Sequence, residues 1–298
     1  MINEMKHRPL YASISGGKDS TALGLWLKEN GLKFTPVFFD TGWEHEETYR
    51  YIKETLSPIF GEFLYLRNES LFPGDELWAG GMEQAILKNR IFPSGAAKFC
   101  TRLLKLKPLR EFMDNERLRL KEKPVNIVGV RAQESATRAT LSEIEEQDAA
   151  TVWRPLISWT EADVIEMHHK NNISPNPLYL RGASRVGCFP CIYARKHEIR
   201  HLSLAHPERI KRIEELERMV NELREEDAKK ATFFKSRRSD KEPMGIKEIV
   251  EWSKDKPGDD LEDIEDTGCM RWGLCEHPLA QSETRRLRGV KQRRLDLK

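Results

Sequence analysis

No apolar run in this sequence approaches the roughly 18 residues that a membrane-spanning helix requires, and its polar start, MINEMKHRPL, has neither the apolar stretch nor the small-residue cleavage site of a secretory signal. A cytoplasmic chain without membrane contact is the expectation. Cysteine is scarce: Cys100, Cys188, Cys191, Cys269 and Cys275 are an odd and widely spaced five, too few for a disulfide framework, and a CxxC pair in a reducing compartment points to metal or redox work instead. Net charge is also nearly absent. At +2 it excludes a surface that is basic throughout, so any attraction to nucleic acid must be local. There is no internal repeat, and no GxxxxGK[ST] loop.

The first half instead carries an alternation of short apolar runs and amphipathic stretches, the pattern of an α/β fold with an open parallel sheet flanked by helices. Strands are expected at Leu10 to Ile14, Phe34 to Phe39, Phe63 to Leu66 and over VNIVGV at 125–130, where β-branched residues dominate. Helices are expected at Ser20 to Asn30, Glu46 to Leu56, Leu103 to Leu120 with Pro108 near its start, and Glu161 to Asn171 with Thr160 as cap. From Arg195 the texture becomes a long charged helical run interrupted by Pro207, and a further short helix is expected near 246–254. A boundary just after the CxxC therefore divides residues 1–194 from a helical C-terminal region, 195–298, with an acidic connector, DDLEDIED, and a basic tail.

The segment YASISGGKDSTALGLWLKE reads as strand, glycine-rich turn and helix. In that arrangement backbone N–H groups and the positive helix end converge on an anion. Gly16 and Gly17 let the backbone approach phosphate oxygens, Lys18 adds a point charge, and Ser15 and Ser20 add hydroxyls. An ordinary serine-capped turn is the alternative, but it needs neither the lysine nor the paired glycines. Asp40 ends the second strand at the carboxyl edge, where open α/β sheets bind ligands, and Arg131 and Arg138 follow the buried strand that ends near Gly129. An arginine there can grip phosphate or carboxylate with two parallel bonds; a salt-bridged surface with Glu134 is the alternative.

SGGKDS resembles the pyrophosphate loop of the ATP pyrophosphatase superfamily, whose members cleave ATP between its α and β phosphates and adenylate a substrate. The segments FFDTGWEHEETY (38–49), CTRLLKLKPL (100–109), GVRAQESATRA (129–139), WRPLISWTEADV (153–164) and NPLYLRGASRVGCFPC (176–191) narrow the likeness to the phosphoadenosine-phosphosulfate reductase family, in that family's order. The resemblance implies that Ser13, Ser15, Gly16, Gly17, Lys18, Asp19, Ser20, Asp40 and Gly129 hold ATP with Mg2+ and that Lys18, Asp19, Arg131 and Arg138 act in catalysis. Lys105 and Arg185 flank the matched cysteines.

In the iron–sulfur members of the family, a cysteine pair and a CxxC hold a 4Fe–4S cluster. Here Cys100 falls on the first cysteine of the pair and Thr101 on the second, which leaves Cys100, Cys188 and Cys191. The fourth ligand is then Cys275, or Cys269, or absent, and a closed tetrahedral zinc site is the alternative metal. His197 and His201 lie four apart on a helical stretch but have no acidic or cysteine partner at ligand spacing, so structural roles are expected for them.

Sulfonucleotide reductases of the family have an altered loop, whereas Ser15 to Ser20 are intact here. That favours ATP as substrate and an adenylation followed by sulfur replacement, as in tRNA thiolation enzymes and the DNA phosphorothioation ATPase. The tail RRLRGVKQRRLDLK supplies a local basic patch for a nucleic-acid substrate, with a sulfur donor protein as a further partner; a solubilising tail is the other reading of the same residues. Alternatives of other classes are an adenylyl-sulfate or phosphoadenylyl-sulfate reductase, a protein like the small subunit of sulfate adenylyltransferase, and a nucleotide-binding regulator without catalysis.

Overall fold

The computed structural model describes residues 2–72, 80–226, 228–234, 242–254 and 272. Six strands form one sheet: β1 (Leu10–Ser13), β2 (Thr35–Phe39), β3 (Leu64–Leu66), β4 (Val125–Val128), β5 (Ile144–Glu146) and β6 (Thr151–Trp153), in the order β3-β2-β1-β4-β6-β5. All neighbours run parallel except β5, which is antiparallel to β6. The expected strands are present within a residue or two; the β5–β6 hairpin was not anticipated, because three-residue strands carry too little periodicity to register.

Alternation along each strand separates two faces. Leu10, Ala12, Ile14 and Phe38 enter the larger core, which is closed by the helix Lys18–Glu29, the helical stretch 46–60 and the helix Glu161–Lys170. Tyr11 and Val37 enter a smaller core under the helix Lys107–Leu120, with Met113, Leu109 and Phe112. Thr160 caps the helix Glu161–Lys170 as expected, accepting from the Asp163 amide while the Asp163 carboxylate takes the Thr160 amide.

Two helices contain a wide turn, at Ile52–Leu56 and at Arg102–Leu106. Each lies just before a proline, Pro58 or Pro108. A proline lacks the N–H for the carbonyl four residues back and its ring clashes with it; widening the preceding turn to i→i+5 bonding lets the helix continue past the proline. Both helices thus run through their prolines, whereas the sequence reading ends the first helix at Leu56, before Pro58, and breaks the second at Pro108 near its start.

Helices Met82–Asn89, Lys196–Ala205, Pro207–Glu222 and Ile246–Lys254 enclose a second core, in which Trp43, Phe72, Phe99 and Leu104 meet Ile199, Ile213, Leu216 and Ile249. Arg212 fixes this contact by donating from Nε to the buried Glu83 carboxylate at 2.8 Å. Among the described residues no helix is long and apolar enough to cross a membrane.

Candidate functional site

The chain leaves β1 toward β2 and β3 on one side and returns to β4 on the other. The strand order therefore reverses between β1 and β4, and a crevice opens at their carboxyl ends, the place where open α/β sheets bind ligands. The SGGKDS loop follows β1 and the Gly129–Arg131 segment follows β4, so the topology brings the two sequence motifs to the two lips of one crevice. Ser13 closes its floor, its hydroxyl 3.2 Å from the Asn126 side-chain oxygen across the strand pair.

The loop is held by its own hydrogen bonds. The Ser15 amide donates to Ser20 Oγ at 3.1 Å, and that hydroxyl donates to the Gly17 carbonyl at 2.9 Å. Gly16 takes φ +72°, a conformation in which a side chain is strained. The helix Lys18–Glu29 begins at once, with its first-turn amides and positive end facing the crevice. Gly129 is required for a different reason: a Cβ there would stand 2.8 Å from the Asp19 carbonyl oxygen, so only glycine lets the segment after β4 pack against the start of the helix.

Lys18 is buried to 9% exposure. Its ammonium lies 3.2 Å from the Glu161 carboxylate, 3.8 Å from that of Asp19, and over the Tyr179 ring at 5.3 Å. Its amide donates to the Tyr179 hydroxyl at 3.1 Å, and its carbonyl lies 3.0 Å from His168 Nε2. Asp19 pairs with the guanidinium of the buried Arg131, whose own amide donates to Glu134 at 3.0 Å. Lys18, Asp19 and Arg131 are thus brought together. Arg138 stands one link away, with its guanidinium half exposed and paired with Glu134. The sequence reading missed Glu161, His168 and Tyr179 as parts of this site. Glu161 and Tyr179 lie inside two of the quoted motifs, but only the fold places them on Lys18.

His168 has both ring nitrogens against carbonyls, Lys18 O at 3.0 Å and Ile173 O at 3.3 Å. Burial depresses its pKa, which keeps the ring neutral with one proton for two acceptors.

Asp40 lies at the end of β2, 5% exposed, and accepts from the Gly42 amide at 3.0 Å and the Tyr49 hydroxyl at 2.7 Å. Its carboxylate thereby fixes the turn that follows, in addition to any contact with a nucleotide. Glu44 is buried beside it, accepting from the Thr41 amide and hydroxyl, and burial raises its pKa.

The CxxC loop is stitched to this turn. Glu44 and Cys188 form an antiparallel bridge, the Phe189 amide donates to the Trp43 carbonyl at 2.7 Å, and Trp43 Nε1 donates to the Pro190 carbonyl at 3.0 Å. Cys100, Cys188 and Cys191 are free thiols, each half-buried, grouped around Lys105. Burial works against charge on Lys105, yet Cys188, Glu44, Cys100 and Cys191 together hold its pKa above the ordinary value. Burial pushes the Cys188 thiol up to about 12, although Lys105 pulls the other way.

These thiols are neighbours, and among the described residues no three Cys, His, Asp or Glu side chains converge to hold a metal ion. The expected fourth ligand, Cys275 or Cys269, lies outside the described residues, as does the basic tail.

The sequence profile of the phosphoadenosine phosphosulfate reductase domain matches residues 9–194, and the chain belongs to this family. An uncharacterised 37.8 kDa protein of Escherichia phage 186 is 32% identical over 304 residues, an overlap of 85% of this chain and 90% of that protein. An uncharacterised protein of Methanocaldococcus jannaschii is 29% identical over 62% of this chain, which spans only 36% of that protein's length. The adenosine 5'-phosphosulfate reductase of Anoxybacillus flavithermus is 30% identical over 157 residues, 52% of this chain and 60% of the reductase.

Proposed function

We propose that the chain binds ATP in the crevice between β1 and β4 and transfers its adenylyl group to an acceptor oxygen, releasing pyrophosphate. The acceptor oxygen attacks the α-phosphorus, the bond from that phosphorus to the α–β bridging oxygen breaks, and the pyrophosphate leaves carrying the electron pair. The observation that carries this reading is the buried Lys18 ammonium at a helix N-terminus, held by Glu161 and Asp19. A buried cation held by carboxylates can exchange them for phosphate oxygens at little cost in charge. The first-turn amides then stabilise the leaving pyrophosphate where its negative charge grows. Asp19 keeps Arg131 as a partner when phosphate oxygens take its place at Lys18. Mg2+ bound with the nucleotide would supply further charge neutralisation on the phosphates.

The finer parts of the proposal are sulfur as the group that replaces the activated oxygen, a donor protein for it, and a nucleic acid as acceptor. The grouping of three thiols around Lys105 supports sulfur chemistry. The same thiols, with relatives named as adenosine 5'-phosphosulfate reductases, support a second reading in which an adenylyl-sulfate is reduced.

Incubation with α-labelled ATP and Mg2+ tests the first reading. AMP or an adenylylated acceptor together with pyrophosphate is expected, and Lys18→Ala should lower the rate by at least about 100-fold. Release of ADP would overturn it. Sulfite release from adenylyl-sulfate with a thiol reductant, without ATP turnover, would establish the reductase instead.

A further inference from the structure

The family match ends at residue 194, yet one residue far beyond it reaches the nucleotide loop. Trp272 is 2% exposed and is the single residue described beyond Lys254. Its ring meets the His168 ring edge to face at 5.0 Å and the Tyr179 ring at 5.8 Å, in a small core with Leu180, Ile165 and Val186. His168 and Tyr179 are the two side chains that hold the Lys18 peptide, one at its carbonyl and the other at its amide. Tyr179 also lies beneath the Lys18 ammonium.

We infer that Trp272 is a positioning residue for the nucleotide loop, and that through it the C-terminal region sets the affinity of the chain for the nucleoside triphosphate. The second half of this inference rests on the ATP reading; the first does not. The physical link is short. An indole buries 150–250 Å² and prefers offset or edge-to-face partners, so a seated Trp272 fixes the planes of the imidazole and the phenol. Those planes fix the directions of the contacts at Lys18 O and Lys18 N, and with them the first turn of the helix, whose amides and ammonium face the crevice. Without the indole, the two rings gain rotational freedom at the point where the loop needs a single geometry. Linkage makes the effect reciprocal: if seating Trp272 tightens nucleotide binding, nucleotide tightens the seat of Trp272 by the same factor.

Two variants of the full chain test the inference. Trp272→Ala removes the ring and Trp272→Phe keeps an aromatic edge. Hydrogen exchange without ligand, read on peptides covering residues 14–25, should speed up by about tenfold in Trp272→Ala at the Lys18 amide, and return toward wild type in Trp272→Phe. ATP titration should show a Kd about tenfold weaker in Trp272→Ala. Wild-type tryptophan fluorescence should change on adding ATP, and that change should be missing in Trp272→Phe while its affinity is retained. Unaltered exchange at residues 14–25 in Trp272→Ala would overturn the inference whatever ATP does. Faster exchange in a chain whose wild type binds no ATP would overturn the ATP reading and the affinity half of the inference, and would support the positioning role.

Discussion

Single residues in this crevice are constrained by contacts that their chemistry alone does not announce. Gly129 illustrates this: the family resemblance implies a nucleotide contact, and its geometry adds that the position needs a glycine for the Asp19 carbonyl, 2.8 Å from where a Cβ would sit. Gly129→Ala must push backbone against backbone, at a cost of about 1–3 kcal/mol, and it displaces the loop rather than any ligand contact. The expected result is a lower thermal midpoint together with ATP affinity weakened at least about tenfold, both read on the same protein in a calorimeter. Cys188 gives a second prediction. A thiol pushed up to about 12 by burial is about one part in 10⁴ thiolate at pH 8, so in metal-free protein it should resist iodoacetamide for hours in a peptide-resolved mass measurement. Replacing Lys105 by alanine removes the charge that favours the Cys188 thiolate and should slow alkylation further.

At the scale of elements, the helix beginning at Glu46 carries a pH dependence. His45 is its N-cap, with Nδ1 accepting from the Glu47 amide at 3.0 Å. Burial first, then the positive surroundings of His206, Arg181, Arg209 and Arg50, push its pKa down to about 3. The unfolded chain takes up a proton on this imidazole near 6.5, while the folded chain refuses it until about 3. Below pH 6.5 the unfolded state binds more protons, so this residue's contribution to stability falls as pH falls from about 6.5 toward about 3. Protonation also removes the acceptor at Nδ1 and with it the cap. His45→Asn keeps a capping oxygen and cannot titrate, so its thermal midpoint should drop less than that of wild type between pH 7 and pH 5. The two wide turns belong to this scale as well: Pro58 and Pro108 are plain in the sequence, but whether a proline ends a helix or widens it is decided by what packs on either side.

For the whole molecule, Glu217 is a joint between parts that are far apart in sequence. Its buried carboxylate accepts from the Phe233 amide at 2.9 Å and from the Ile246 amide at 2.9 Å, tying the segment at 228–234 and the helix Ile246–Lys254 to the helix Pro207–Glu222. Glu217→Ala strands two buried N–H groups, each costing about 1–3 kcal/mol, and a urea titration should show a loss of about 2–5 kcal/mol. A loss under about 0.5 kcal/mol would mean that water replaces the carboxylate. Such a joint has no signature in composition. The long charged run from Arg195 announces helices but not which of their carboxylates turns inward.

What the sequence determined by itself is local. Apolar periodicity set the four parallel strands β1 to β4 and most helices, and paired glycines before Lys18 and Asp19 marked the turn between β1 and the first long helix, for which nucleotide binding is proposed, because backbone freedom and short-range spacing are properties of neighbouring residues. The tertiary structure decided everything that depends on distant groups meeting. It placed Glu161 and Tyr179 on Lys18, paired Asp19 with Arg131 and left Arg138 outside with Glu134. It gathered three thiols around Lys105 without forming a metal site among the described residues, and seated Trp272 behind the loop. The charge on a buried lysine, the proton on a buried thiol and the plane of a ring are set by what surrounds them, and around the Lys18 loop those surroundings come from segments more than 100 residues away.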